Sequence, residues 1–188
     1  GNAINDCIDY VKELDTAMTD IQMVTMATDS EIQKMSKSYN KMAQDLGRTT
    51  LDVAESATDW LRQGFSEADT DLLIADSMKL STLGAIDSAD ATTALTSAMK
   101  GYQLEAEEVI GVVDKLVTVD MECATSAGDL ATALARCSNI ARTSGVELDQ
   151  ALGMIATTAE VTQMSAETIG NAFKTIFSIL CGIKGFCL

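Results

Sequence analysis

Residues that typically begin helices recur in this sequence at a nearly constant spacing, and this spacing constrains the fold more than any other feature. One set recurs at intervals of 38, 39 and 39 residues: Thr49, Asp87, Ser126 and Ser165. A second set interleaves with the first at intervals of 39 residues: Ser66, Glu105 and Ser144. A hydroxyl or carboxylate at these positions can accept a hydrogen bond from a free N–H of the first helical turn. The spacing predicts a two-helix unit that is repeated about three times.

The residues between these starts also match from one unit to the next. The segment DATTAL at 90–95 aligns with DLATAL at 129–134, and the pair Glu108-Val109 aligns with Glu147-Leu148. Each helix has roughly 15 residues and is too short to be stable alone, so we expect stacked hairpins that share one continuous core. The alternative is a plain helical bundle in which the spacing of the starts only reflects the length of the helices.

Apolar residues follow a spacing of three and four along the whole chain, which is typical of amphipathic helices and not of strands. The sequence contains no proline, so turns must be made by glycine, serine and aspartate. The predicted starts are Asp6, Ser30, Thr49, Ser66, Asp87, Glu105, Ser126, Ser144 and Ser165. The predicted ends are marked by Gly47, Gly64, Gly84, Gly101 and Gly145.

These signals predict an all-α fold of about nine short antiparallel helices, arranged as a helical-hairpin repeat or a bundle. We divide the chain into an N-terminal helix pair at 1–47, a helical-hairpin repeat core at 48–182 and a tail at 183–188. Trp60 lies on an apolar helical face and is expected in the core. Alanine is frequent at the facing positions, so helices can approach closely while each contact buries little apolar area.

Charge and composition exclude several classes of function. The formal net charge is −15, which argues against binding nucleic acid through phosphate neutralisation, and there is no histidine. Glu105, Glu107 and Glu108 stand where a helix begins, so we interpret them as caps and partners of the helix dipole and not as metal ligands. We find no catalytic, cofactor-binding or metal-ligating residues to assign, and we expect no enzymatic activity and no cofactor.

The five cysteines have irregular spacings and an odd count, a pattern that does not predict a disulfide framework. They are Cys7, Cys123, Cys137, Cys181 and Cys187. We expect small buried side chains in a reducing compartment.

The two ends of the sequence suggest a piece of a longer chain. The first ten residues are polar and acidic and do not form a signal peptide, and the sequence begins at Gly1 without methionine. The last segment, 169–188, is the most apolar, but Lys174 and Lys184 interrupt it. We interpret it as a core helix and not as a membrane span.

Three segments carry a resemblance to a known family. They are LGRTTLDVAESATDWLRQGFS at 46–66, AIDSADATTALTSAMKGYQLEAEEVIGVVDKL at 85–116 and GDLATALARCSNIARTSGVELDQALGMIATTAEVTQMSAETIGNAFKTIF at 128–177. The chain from Leu46 to Leu180 resembles the core region of phage tail tape measure proteins, and IGNAFKTIF at 169–177 is the most specific piece. The end, CGIKGFCL, does not clearly continue the pattern.

The resemblance implies a structural protein of the virion that lies in the lumen of the tail tube and sets tail length during assembly. It implies association of a few parallel copies, with the tail tube protein and tail assembly chaperones as partners, and assembly in the bacterial cytoplasm. The particle would be a phage or a prophage-derived tail-like particle. Since this segment is acidic, we expect no direct contact with nucleic acid, and we expect no contact with a membrane.

Two other classes of protein remain as alternatives. A helical-repeat scaffold would need a face with exposed aromatic residues or charge patches, and none stands out in the sequence. A signalling coiled-coil adaptor would need unbroken heptads, whereas glycine interrupts the pattern about once per helix.

Overall fold

The computed structural model describes residues 2–184, of which residues 2, 3 and 184 are described by their backbone alone. This part of the chain contains nine α-helices and no strand, which confirms the predicted all-α class. The helices are α1 (Asn2–Thr25), α2 (Asp29–Leu46), α3 (Thr50–Arg62), α4 (Glu67–Leu83), α5 (Ser88–Tyr102), α6 (Val109–Glu122), α7 (Ala127–Thr143), α8 (Leu148–Thr162) and α9 (Ala166–Lys184). A 3-10 turn at Ala106–Glu108 leads into α6.

The first of two compact units spans Gly1–Met78, and the division lies within α4. In this unit α3 packs against both α1 and α2. Trp60 of α3 is fully buried, its indole N–H donates to Ser77 Oγ at 3.1 Å, and its ring meets Phe65 edge to face. The core role predicted for Trp60 is confirmed. The predicted division at residues 47 and 48 stays a prediction.

The second unit, Lys79–Leu188, contains two rows of helices. Helices α5, α7 and α9 begin 39 residues apart and pack side by side, with α7 between α5 and α9. Helix α6 contacts α8 in the second row, and α7 touches both of them. Equivalent helices of successive units are therefore neighbours, which is the arrangement expected when hairpins stack.

Several predicted starts coincide with observed N-caps. Thr49 accepts from the Asp52 N–H at 3.0 Å while the Asp52 carboxylate accepts from the Thr49 N–H at 3.1 Å. Ser126 accepts from the Asp129 N–H at 3.0 Å, and Ser66 accepts from the Asp69 N–H at 3.2 Å. The capping-box interpretation therefore holds at α3, and the predicted hydroxyl caps hold at α4 and α7.

Three predicted starts are wrong. Helix α1 begins at Asn2 and not at Asp6. Helix α2 begins after Thr28, whose hydroxyl accepts from the Glu31 N–H, because this threonine and glutamate form a complete capping box two residues before Ser30. Ser144 ends α7, and its hydroxyl donates to the carbonyls of Ile140 and Phe177.

The predicted glycine ends are confirmed at Gly47, Gly64 and Gly145, which all have positive φ. Gly84 directly follows α4, as predicted, although the left-handed residue of that turn is Ala85. Gly101 lies inside α5, which continues through Tyr102 to a left-handed Gln103.

Gly101 is inside the helix because α5 and α7 approach each other closely there. A Cβ atom on Gly101 would lie 2.4 Å from Ser138 Oγ and 2.8 Å from the Asn139 backbone nitrogen. On the other side of α7, a Cβ atom on Gly170 would lie 2.7 Å from the Ala133 carbonyl oxygen. The absent side chains at Gly101 and Gly170 allow α7 to pack against both neighbours.

The last helix is a core helix on one face only. Ile169, Phe173 and Phe177 are buried, with the two phenylalanine rings stacked. Ile176, Ile179, Leu180 and Ile183 are exposed, which the sequence interpretation did not anticipate. Among the described residues, no helix reaches the combination of length and apolar character that a bilayer span requires.

The cysteines only partly follow the prediction. Cys137 is buried and carries a free thiol, whereas Cys7 is exposed and Cys123 is partly exposed. Cys181 is buried and disulfide-bonded, so the expectation of reduced cysteines is wrong there. Cys187 lies outside the described residues.

Replacing Gly101 by alanine should lower the free energy of unfolding by about 1–3 kcal/mol, because the added methyl group overlaps the backbone of α7. The measurement is urea denaturation followed by circular dichroism. The matched control is Gly153→Ala in α8, where an added Cβ meets nothing within 4 Å. The control should raise stability by about 0.5–1 kcal/mol through helix propensity. Equal effects of the two substitutions would contradict the close approach of α5 and α7.

Candidate functional site

The most specific polar contacts of the second unit lie where α7 meets its neighbours. Ser138 Oγ donates to the Ser97 carbonyl of α5 at 2.9 Å, and Ser144 Oγ donates to the Phe177 carbonyl of α9 at 2.7 Å. Both serines are buried. These small hydroxyl side chains bond backbone carbonyls of the neighbouring helices without holding the helices apart. The contacts therefore help to align α5, α7 and α9.

Arg142 near the end of α7 caps the end of α5. Its guanidinium donates to the Tyr102 carbonyl and, at 2.9 Å, to Gln103 Oε1. The last carbonyls of a helix have no partner within the helix, and a cation is favoured near them by the helix dipole. The C-terminus of one repeat helix is thus completed by the next unit.

A second set of links joins α4 to α6 and α6 to α8. Lys79 pairs with Asp114 at 3.1 Å, and Lys115 forms an equivalent pair with Asp149. The pairs join positions 35 and 34 residues apart, so the link recurs once per unit. Exposed pairs of this kind contribute about 0–1 kcal/mol each, and their value lies in alignment more than in stability.

The surface of the α5, α7 and α9 row carries a shallow polar groove. Its volume is about 390 Å³. It is lined mainly by small and polar side chains, with charge from Asp90, Arg136 and Glu167. The groove holds neither histidine nor cysteine, and its residues suit an aligned helical surface better than bond-breaking chemistry.

The carboxylates considered as metal ligands act as helix caps. The Glu105 N–H donates to Glu108 Oε2 at 2.8 Å, which confirms their interpretation as caps. Within residues 2–184 no three acidic, cysteine or histidine side chains converge in a way that could hold a metal ion. The carboxylates here orient the start of a helix.

Burial shifts the pKa values of several titratable groups. Desolvation raises the pKa of Asp59, Asp71 and Glu55 above their ordinary values, and the nearby Glu67 adds to the effect at Asp71. Burial also raises the pKa of the Cys137 thiol to about 11, which makes this thiol a poor nucleophile at neutral pH. Hydrogen bonds from Thr28 hold the pKa of Glu31 below its ordinary value.

The sequence interpretation missed Arg142, Ser138 and the two lysine–aspartate pairs. A detectable signal existed for the pairs, because aligning Lys79 with Lys115 and Asp114 with Asp149 follows the repeat within a few residues. No signal existed for the bonds from Ser138 to the Ser97 carbonyl and from Arg142 to the Tyr102 carbonyl, since any residue supplies a backbone carbonyl.

Stability should rise as the pH falls from 7 through the raised pKa values of Asp59, Asp71 and Glu55. Groups with raised pKa bind protons more readily in the folded state, so their penalty is present at neutral pH and disappears on acidification. The lowered pKa of Glu31 acts oppositely, since its contribution is lost only as pH falls further through its folded pKa. Asp59→Asn should raise the melting temperature at pH 7 by a few degrees and reduce the gain on acidification.

The control for this measurement is Asp15→Asn, an exposed carboxylate on α1 that removes the same charge. Differential scanning calorimetry between pH 7 and pH 4 compares the two variants. An equal effect of both substitutions would assign the trend to net charge and would contradict a role for desolvation.

The sequence of these stacked helices matches a known protein family. A sequence model of the family described as phage-related minor tail protein matches residues 36–182. No solved structure matches the chain. The match covers the larger part of α2 and every later helix nearly to the end of α9. The chain belongs to the phage-related minor tail protein family and is a structural component of a phage tail.

Proposed function

We propose that this chain is the core region of a tail tape measure protein, the component that sets tail length during assembly and lies in the lumen of the tail tube. The observation that carries the proposal is the family match over 36–182, the same stretch that contains the 39-residue helical units. A structural role without catalysis agrees with carboxylates that cap helices and a buried, weakly acidic thiol at Cys137.

The proposed partners are further copies of the same chain in parallel, the tail tube protein and tail assembly chaperones. The proposed location is the bacterial cytoplasm during assembly and the tube lumen in the finished particle. A net charge of −15 disfavours contact with DNA, which must later pass through the same tube.

Within such a ruler, the chain would contribute two compact helical units and not one extended rod. A helix rises about 1.5 Å per residue, so the chain would span roughly 280 Å as one rod. The longest helix, α1, has 24 residues and spans only about 36 Å. Residues in these folded units would each add less length to the ruler than residues of an extended helix.

The packing favours a module that unfolds without a large barrier. The hydroxyls of Thr58, Thr92 and Thr118 donate to the backbone carbonyls four residues earlier. Such side-chain-to-backbone hydrogen bonds slightly destabilise a helix. The hydroxyls of Thr70 and Tyr102 are buried without a hydrogen-bond partner, which costs further stability. A chain that must leave a narrow tube before DNA passes would benefit from both features.

Inserting four extra copies of the unit 87–125 into the tail gene should lengthen the tail, because repeat arrays accept added units. Stacked hairpins would add about 10 Å each, or about 40 Å in all. Units that extended into a single helix would add about 230 Å and would contradict the compact module. Tail length is measured by electron microscopy of purified particles.

The matched control replaces 126–164 by a second copy of 87–125, which changes the sequence but keeps the residue number. Its tails should have the normal length. If mass spectrometry finds the lengthened protein in tails of unchanged length, the ruler role is wrong.

The isolated chain should melt within the mesophile range of about 45–65 °C, because many of its helix contacts are between small residues and two buried hydroxyls, of Thr70 and Tyr102, are unsatisfied. Thermal unfolding followed by circular dichroism gives this temperature. A melting point above about 90 °C would contradict a module built to unravel.

A further inference from the structure

A small polar cavity lies between α2 and the first turns of α4, within the first compact unit. Its volume is about 190 Å³. Met35 and Tyr39 of α2 line the cavity and are buried, and Glu67 and Asp71 of α4 line it as well. We call these four residues the α2–α4 site. None of them belongs to the groove on the row of α5, α7 and α9.

The hydroxyl of Tyr39 has no hydrogen-bond partner among the described residues, although the side chain is only 3% exposed. Burial, together with the charges of Asp71 and Glu67, holds the pKa of this phenol well above its ordinary value, so the hydroxyl stays protonated. A neutral hydroxyl can donate one hydrogen bond and still accept others. A buried polar group without a protein partner costs stability unless water or a ligand satisfies it. The cavity that Tyr39 lines is where such a ligand fits.

No lysine or arginine in the described part of the chain pairs with the two carboxylates of the site. Glu67 and Asp71 lie four residues apart on α4, about one turn, and neither forms an ion pair there. Desolvation raises the pKa of Asp71, and the charge of Glu67 raises it further. Lys34 also lines the cavity, but its charge acts on Glu31, whose carboxylate already accepts from the Thr28 N–H. One added positive charge would relieve the repulsion between Glu67 and Asp71.

We propose that the α2–α4 site binds a primary alkylammonium group. Its three N–H groups donate to the carboxylates of Glu67 and Asp71 and to the hydroxyl oxygen of Tyr39. Its methylene chain lies against Met35, the apolar part of the site. Either a free amine or the lysine side chain of a partner protein supplies this chemistry. The proposal does not depend on the tape measure role.

An NMR titration of the ¹⁵N-labelled chain with butylammonium chloride tests the site. The backbone amide signals of Tyr39 and Asp71 should shift and reach saturation. Butan-1-ol, which has the same carbon chain without the charge, should shift them little. Asp71→Asn should raise the Kd for butylammonium about tenfold, because a charge-assisted hydrogen bond is lost. Tyr39→Phe should raise the Kd about threefold, because one neutral acceptor is lost.

Asp15→Asn is the matched control, because Asp15 is an exposed carboxylate on α1 and its replacement changes the net charge equally. This variant should bind butylammonium as the wild type does. The comparison separates the site from the general attraction of cations to a chain with a net charge of −15. Circular dichroism verifies that all three variants fold.

A second titration distinguishes the two sources of the ammonium group. It uses Nα-acetyl-lysine methylamide, which carries the ammonium on a blocked backbone unit. Tighter binding of this compound than of butylammonium would assign the site to the lysine of a partner protein. Equal binding would show that the alkylammonium alone is recognised and that a free amine suffices.

Three results would overturn the proposal. Shifts that do not saturate, or that spread over exposed carboxylates elsewhere, would indicate non-specific attraction. An unchanged Kd in Asp71→Asn would place the bound amine elsewhere on the chain. An unchanged Kd in Tyr39→Phe would show that the buried hydroxyl takes no part, and the site would then be an ordinary pair of surface acids.

Discussion

The close contact of α7 with α5 and α9 is the interaction on which the second unit depends. At Gly101 and Gly170 the neighbouring backbones lie so near α7 that a single methyl group would overlap Ser138 or the Ala133 carbonyl. At these two points only the smallest side chains fit, and serine hydroxyls elsewhere on α7 bond carbonyls of both neighbouring helices. Each such contact is small, and only their repetition gives a stable array.

The repetition also explains which features the sequence could predict. Helix starts were readable at Thr49 and Ser126 because a cap acts within four residues and needs no distant partner. Ser144 occupies an equally good position by spacing, yet its hydroxyl donates to Phe177 of α9, a partner 33 residues away. A residue's local preference was therefore overruled where a neighbouring helix offered a buried acceptor.

At Gly101, too, a neighbouring helix overrules the local preference of the residue. Glycine is typical of helix ends because it accepts a left-handed backbone, and Gly47 and Gly145 follow that rule. Gly101 serves the packing of α7 instead, and the left-handed position falls on Gln103, where Arg142 donates to the side-chain oxygen. The two uses of glycine are indistinguishable without knowing which helices are neighbours. The exposure of apolar residues on α1 and α9, such as Ile8 and Ile179, was unpredictable for the same reason. Whether such a residue is buried depends on the length and position of another helix.

The contacts between these helices differ in how strongly they resist local opening of the fold. A core of large interlocking side chains resists local opening, because exposing one helix exposes a large apolar area at once. Here α5, α7 and α9 approach closely at small residues, while larger side chains on the same helices, such as Leu95, Leu134 and Phe177, are also buried. The ion pairs from Lys79 and Lys115 keep the units aligned but add little stability. Close approach and ion pairs thus set the alignment of the helices, whereas the larger buried side chains supply most of the apolar burial.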